Sequence, residues 1–268
     1  MSASLFLSLT TYDIVQAPRF VGLANYVTAF STDPLFWTSL LRTFYYAGLS
    51  VPLAISASLI LALFLNRKFV GVTWARAIYF MPHLVPVVAA TVIWVWILNP
   101  QIGLLNQLLS VVGVRGPSWF GTPEWAIPAL IILGLWRSAG GNTMIIFLAG
   151  LQTVPRELHD AAEVDGANAW QRFRHVTLAI VSPTIFFNLV LGIIGALKVF
   201  STAFIATGGG PAYATWFYAL HLYKNAFEFF KMGYASALAW IFLVIVVSLT
   251  WVQFRASSRW VYYEGEVR

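Results

Sequence analysis

Residues 43–65 read TFYYAGLSVPLAISASLILALFL, a run of 23 positions without a charged side chain. A helix of about 20 apolar residues crosses about 30 Å of hydrocarbon, so this run is long enough to span a bilayer. Four further stretches are apolar over a similar length, at about 77–98, 126–151, 176–200 and 233–254. Hydrocarbon offers no water to satisfy peptide groups, which predicts helices and excludes an open sheet edge. The expected fold class is therefore all-α, a polytopic transmembrane helical bundle with five spans in one domain over residues 1–268, embedded in a lipid bilayer.

Composition supports this reading. The chain has 268 residues, 59% of them hydrophobic and only 10% charged, with a mean hydropathy of +0.76. Soluble domains carry about 25% charged residues, so an ordinary soluble enzyme is excluded. The +6 net charge does not imply nucleic acid, because in a membrane protein basic residues collect in cytoplasmic loops. The absence of cysteine removes disulfides, thiolate metal sites and a cysteine nucleophile, and no cofactor or metal is expected.

The basic residues also give an orientation. One set of loops holds Arg67, Lys68, Arg76, Arg156, Arg172, Arg174, Arg255, Arg259 and Arg268; the other holds Arg19, Arg115, Lys224 and Lys231. The richer set is assigned to the cytoplasm, which makes the C-terminus cytoplasmic and, with five spans, the N-terminus external. Residues 1–36 would then lie outside with no segment to carry them across, since Met1–Leu9 is too short to span and has no basic flank. Six spans are expected in the natural protein, the first apparently missing before residue 1.

The connection at 152–175 has internal order. In Pro155-Arg156-Glu157-Leu158-His159-Asp160-Ala161-Ala162-Glu163-Val164-Asp165-Gly166-Ala167, proline suits a helix start and Glu157 complements the helix dipole. Leu158, Ala161 and Ala162 share one face, and Gly166 can end the helix in a left-handed conformation. Isolated helices below about 12–15 residues are marginal, so this one needs a surface. It either packs on its own chain or docks on a cytoplasmic partner.

Asp160-Ala161-Ala162, with Gly166, Val176 and Leu178 following, resembles the EAA loop (E-A-A-x3-G-x9-I-x-L-P) of permease subunits of ATP-binding-cassette importers. Asp160 replaces the glutamate, Val176 the isoleucine and Ala179 the final proline. The run Arg19-Phe20-Val21-Gly22-Leu23-Ala24-Asn25-Tyr26, together with Gly103-Leu104-Leu105-Asn106, Leu148-Ala149-Gly150-Leu151-Gln152 and Thr207-Gly208-Gly209-Gly210-Pro211, is similar to the carbohydrate-uptake subgroup related to maltose and glycerol-phosphate permeases. The resemblance implies a type I importer permease in a bacterial or archaeal inner membrane. It further implies a second homologous permease subunit, a cytoplasmic ATPase dimer and an extracytoplasmic solute-binding protein. Glu157, Asp160, Ala161, Ala162, Asp165, Gly166 and Ala167 would then form the ATPase-coupling loop. The chain has no G-x-x-x-x-G-K-S/T phosphate loop, so it is expected to be a transport subunit and not an enzyme.

Polar residues within or beside the spans are the candidate pathway: Trp136, Arg137, Asn142, Asn188 and Lys198. A charge at the centre of a span costs about 2.5–3.5 kcal/mol on insertion scales, so Arg137 should face protein or water. It would line the pathway or pair with a neighbouring helix. Gly140-Gly141 beside it predicts a bend. Asn188 can serve a solute or a helix contact, and Lys198 can reach the headgroups. Ala54, Ser58 and Ala62 favour close helix packing; Trp37, Trp74, Trp119, Trp125, Trp251 and Trp260 fall near interfaces and read as headgroup anchors; Thr207–Pro211 reads as a flexible turn near an outer gate.

Two other functions fit the sequence less well. An intramembrane enzyme has no support, because His83, His159, His175 and His221 form no ligand pair and no acidic dyad lies within a span. An ion-coupled secondary transporter fits the composition, but a mid-membrane carboxylate to carry protons is missing.

Overall fold

The computed structural model describes residues 1–262, so Arg268, counted above among the cytoplasmic basic residues, lies outside them. The chain opens with helix α1 (Ser2–Ser8) and a two-stranded antiparallel hairpin, β1 (Thr10–Thr11) and β2 (Arg19–Phe20), in which Thr10 faces Phe20. A short helix α2 (Ala24–Val27) leads through a π-type turn at 28–32 into the long helix α3 (Pro34–Leu65). Then follow α4 (Val72–Leu84), α5 (Val87–Ile97), α6 (Leu104–Val111), α7 (Pro123–Ser138), α8 (Asn142–Gln152), α9 (Arg156–Val164) and α10 (Ala169–Arg172). The chain continues with α11 (Leu178–Leu197), α12 (Ser201–Thr207), α13 (Tyr218–Tyr223) and α14 (Met232–Ser257). Among the described residues three helices are long and apolar enough to cross a membrane singly: Pro34–Leu65, Ala169–Leu197 and Met232–Ser257; α4 with α5 and α7 with α8 qualify as broken pairs.

Helix α3 begins nine positions before the uncharged run at 43–65 because Asp33 and Pro34 build its start. Asp33 Oδ1 accepts the Leu35 N–H at 2.8 Å, an N-cap followed by proline at the first helical position. At 1.5 Å per residue the 32 residues of α3 make a rod of about 48 Å, longer than the hydrocarbon it crosses. The stretch read as a continuous span at 77–98 is instead two helices. Pro86 disfavours helical geometry at the preceding residue, and Val85 is extended, with φ −68° and ψ 127°.

The described residues fall into two compact units. One comprises 1–48, 87–133 and 194–250. Its core includes Ala29, Phe36, Tyr218, Tyr234, Leu238 and Ile241, with the Tyr218 hydroxyl donating to Leu238 O at 2.8 Å. The Gly22–Tyr26 run has a mechanical purpose here: Gly22 takes φ 59°, Asn25 Nδ2 donates to both Ser8 O and Thr10 O, and the Tyr26 and Ser8 hydroxyls meet at 2.8 Å. Asn106 organises a second cluster, donating to Pro100 O and Pro117 O and accepting the Trp119 indole N–H at 2.7 Å. Trp119 is only 7% exposed and is a buried pin, which corrects its reading as a headgroup anchor. The Thr207–Pro211 turn is likewise packed: Thr215 Oγ1 donates to Gly210 O at 2.8 Å, and a Cβ on Gly209 would lie 2.5 Å from the Trp216 ring.

The other unit comprises 49–86, 134–193 and the segment from 251. Ala62, Leu65, Met144, Phe147, Leu151 and Val181 form its core. Ser58 and Ala62 are fully buried, and Ser58 Oγ donates to Ser138 O at 3.3 Å, a carbonyl at the break between α7 and α8. That break bends by 49° at Gly140-Gly141, the bend expected from the sequence. Its glycines are needed for close contact. A Cβ on Gly140 would stand 1.9 Å from Tyr79 O, and one on Gly141 2.8 Å from His83 Nδ1. Beyond α14, Tyr262 N–H donates to Ser182 Oγ at 2.8 Å, tying the segment back onto α11.

Gly140→Ala forces backbone apart in this unit, so it is expected to destabilise the protein by about 1–3 kcal/mol and to lower the thermal unfolding midpoint of the purified protein. Gly48→Ala, at a helical glycine with open space around its Cβ position, is expected to leave the midpoint unchanged or raise it slightly.

Candidate functional site

The segment 152–177 is built from local devices. Pro155 occupies the cap position of α9, with ψ 135°, one residue before the first turn in which the sequence reading set it. Glu157 lies in that first turn. At the other end Gly166 has φ 78°; its N–H donates to Glu163 O at 3.0 Å and the Ala167 N–H to Ala162 O at 2.9 Å. These two bonds define a Schellman closure. Asn168 and Gln171 form a reciprocal capping box that starts α10, and an Arg172–Glu163 ion pair ties the two short helices together.

Helix α9, so closed at its C-terminal end, has no buried residue. Leu158 is 47% exposed, Val164 89% and Trp170 65%; Asp160, Ala161 and Asp165 are exposed, while Ala162 and Ala167 are half-buried. A polar connector has no reason to present leucine, valine and tryptophan to water. The arrangement is a pre-formed knob with an unpartnered apolar and small-residue surface, rimmed by carboxylates.

The pathway candidates do not form one cluster. Trp136, Arg137, Asn142 and Asn188 belong to the unit containing 134–193, and Lys198 to the unit containing 194–250. Arg137 lies in the last turn of α7. Its Nε is buried with no partner, and among the described residues its guanidinium pairs with no carboxylate. Trp136 and Asn142 are exposed. Asn188 is 4% exposed and donates to Thr184 O, one turn back on its own helix, at 3.0 Å. Lys198 is exposed beside a cavity of about 290 Å³ lined also by Met1, Ser4 and Trp240.

Comparison with known proteins assigns this architecture. Residues 26–262 match the family described as binding-protein-dependent transport system inner membrane component. The chain belongs to that family. It is a multi-pass inner-membrane permease of the ATP-binding-cassette importers, a transport subunit and not their ATPase. The permease is 42% identical over 99% of its length to the probable ABC transporter permease protein YesP of Bacillus subtilis, covering 86% of that protein. It is 36% identical to the trehalose/maltose transport system permease protein MalF of Thermococcus litoralis, covering 91% of this chain and 83% of the relative. A crystal structure of a bacterial alginate ABC transporter, in complex with an alginate pentasaccharide-bound periplasmic protein, contains a chain that superposes with a TM-score of 0.81 at 26% identity, covering 89% of the permease and 83% of that chain.

The permease also holds a polar network that sequence reading missed. His221, 3% exposed, donates from Nε2 to Asp33 Oδ2 at 2.9 Å, and the Tyr234 hydroxyl donates to the same oxygen at 2.6 Å. The Trp216 indole N–H donates to His221 Nδ1 at 3.1 Å. Indole nitrogen can only donate, so Nδ1 carries no proton and the imidazole is neutral. Burial, only partly offset by Asp33, lowers the histidine pKa below its ordinary 6.5. For Asp33, burial pushes upward, but the Tyr234 hydrogen bond, His221 and the Leu35 N–H together outweigh it and hold the carboxyl below 3.8. The partners lie 188 and 201 positions from Asp33, and only the lone histidine on an otherwise apolar segment could have drawn attention to them.

The linkage has a definite sign. Below pH 6.5 an unfolded chain takes up a proton at His221 that the folded permease resists, so stability falls as pH drops through that region, while Asp33 adds its own loss only below 3.8. His221→Gln keeps a donor for Asp33 and an acceptor for Trp216 but cannot titrate. The variant is expected to show a flatter decline of unfolding midpoint between about pH 7 and about pH 5 than the wild type.

Proposed function

We propose that the permease forms half of the translocation pathway for a sugar or oligosaccharide, and that its 152–175 segment is the cytoplasmic handle moved by the ATPase dimer. The observation that carries this reading is α9: a helix firmly closed at its C-terminal end whose apolar residues are left exposed. A nine-residue helix is below the length that is stable alone, and an ATPase cleft is the surface that would complete it. Within it Ala161 and Ala162 permit close approach, Glu157, Asp160 and Asp165 form the charged rim, and Gly166 with Ala167 fixes the closing turn. In this orientation the C-terminus is cytoplasmic, a second permease subunit supplies the other half of the pathway, and a solute-binding protein delivers the cargo from outside.

The carbohydrate class is supported by what similar proteins are named for: sulfoquinovosyl glycerol in a relative from Agrobacterium fabrum, trehalose and maltose in the Thermococcus relative, and alginate in the solved importer. Arg137 is the residue best suited to meet such a cargo, because its guanidinium is half-buried beside the α7–α8 bend with donors unclaimed by any described carboxylate. Trp136, adjacent and exposed, offers an aromatic face, and Asn142 opens the next helix. Lys198 is a further candidate in its own unit. Asn188 contributes packing in place of solute contact, since its amide already serves its own helix.

Gly166→Pro places a ring fixed near φ −65° where the chain needs φ 78°, and Ala161→Trp fills the docking face. In the reconstituted importer both are expected to leave insertion intact and to separate ATP hydrolysis from uptake, with transport of radiolabelled sugar reduced to background; unchanged uptake contradicts the docking role. Arg137→Ala is expected to lower uptake in complexes of normal subunit composition, whereas loss of assembly would make Arg137 a structural residue.

A further inference from the structure

A second feature lies beside α9, in the same unit. A cavity of about 620 Å³ is lined by Arg67, Lys68, Arg76 and Arg156, with His159 and Asn66 among its other walls, and its lining includes no carboxylate. Among the described residues Arg67, Lys68 and Arg156 pair with no acidic group. Arg76 donates from Nη2 to Leu65 O at 2.8 Å, closing the end of α3, yet its Nε is buried with no partner. Four cations converging on one space repel each other and raise one another's free energy unless an anion sits among them.

The shape of the adjoining surface identifies the anion. Arg76 and Gln152 also line a second hollow, of about 410 Å³, whose other walls are apolar, including Phe80, Met144, Ile145 and Leu148. A basic chamber thus continues into a greasy groove along α4 and α8. Trp74, on the first turn of α4, is 77% exposed, as expected of a side chain at headgroup depth. A free phosphate ion would use the chamber and have no need of the groove. An anionic phospholipid uses both, with its phosphate among the cations and its acyl chain against the apolar wall, and basic pockets on the cytoplasmic side of helix bundles are known to take such headgroups.

We infer that this composite hollow binds an anionic phospholipid of the phosphatidylglycerol or cardiolipin class, and that the headgroup bridges Arg67, Lys68 and Arg76 to Arg156 at the start of α9. The lipid would thereby steady the root of the coupling helix against the helices it must move. This inference rests on the proposed cytoplasmic location of 152–175.

The test uses the complete importer, purified in detergent containing equal amounts of phosphatidylglycerol and phosphatidylcholine and examined by native mass spectrometry. The wild type is expected to retain phosphatidylglycerol in preference to phosphatidylcholine, and added inorganic phosphate should not displace it. Arg67→Gln/Lys68→Gln, at exposed positions, should weaken that preference by about tenfold or more, given roughly fivefold per cation removed from an anionic surface. Arg76→Lys, which keeps the charge while changing its geometry, should retain most of it. Equal retention by wild type and double variant overturns the inference, as does displacement by inorganic phosphate. Loss of the ATPase subunits from the double variant also overturns it, by assigning the chamber to an acidic segment of that partner. Lipid retention is read independently of uptake, so a Gly166→Pro importer that transports normally yet holds the lipid would sink the coupling reading and leave this one standing.

Discussion

A short helix in water loses more in chain entropy than its own hydrogen bonds return, unless something covers one of its faces. In this permease the C-terminal end of α9 is held in shape by the Schellman closure at Gly166 and by the Glu163–Arg172 pair to α10. Its flank is never covered. Local chemistry pre-forms the knob, and we propose that the missing packing comes from another protein. Pre-forming the knob reduces the ordering entropy lost on docking, and a rigid knob can pass a push to the spans where a floppy loop would absorb it.

Elsewhere among the described residues most polar groups in apolar surroundings find partners nearby, the Ser50 hydroxyl being an exception. Asn188 bonds its own helix, Ser58 reaches a carbonyl at the α7–α8 break, and Asn106 gathers two carbonyls and an indole. Asp33 is the most demanding case, a carboxylate that caps α3 and receives His221 and Tyr234. Leaving any one of these buried donors unmatched would cost about 1–3 kcal/mol. Against that background the buried, unpartnered Nε atoms of Arg137 and Arg76 stand out, and these are the positions where we propose that a ligand completes the bonding.

Much of the architecture was legible because hydrophobicity and backbone chemistry are local. The apolar runs marked the candidate spans, Gly140-Gly141 marked the bend, and Gly166 marked the helix end, each through a property of the residue itself. The break at Val85-Pro86 was legible in principle, since a residue before proline avoids helical geometry, but continuous apolar character concealed it. Trp119 was misread because position along the chain says nothing of depth when the connection folds back on Asn106. The Asp33 network could not be read at all: its members are drawn from three regions of sequence, and no periodicity links them. For the proposed coupling loop nearly every device was visible, whereas for the proposed pathway only residue types were, because what faces a solute depends on packing and on a second subunit.

The absence of native cysteine makes the central claim directly measurable. Ala161→Cys places a single thiol on the exposed face of α9, and its rate of reaction with a bulky water-soluble maleimide can be compared in the permease alone and in the assembled importer. The account predicts fast labelling of the isolated permease, strong protection once the ATPase is bound, and no reaction from the external side of intact cells. Equal labelling with and without the ATPase, or labelling from outside, would contradict it.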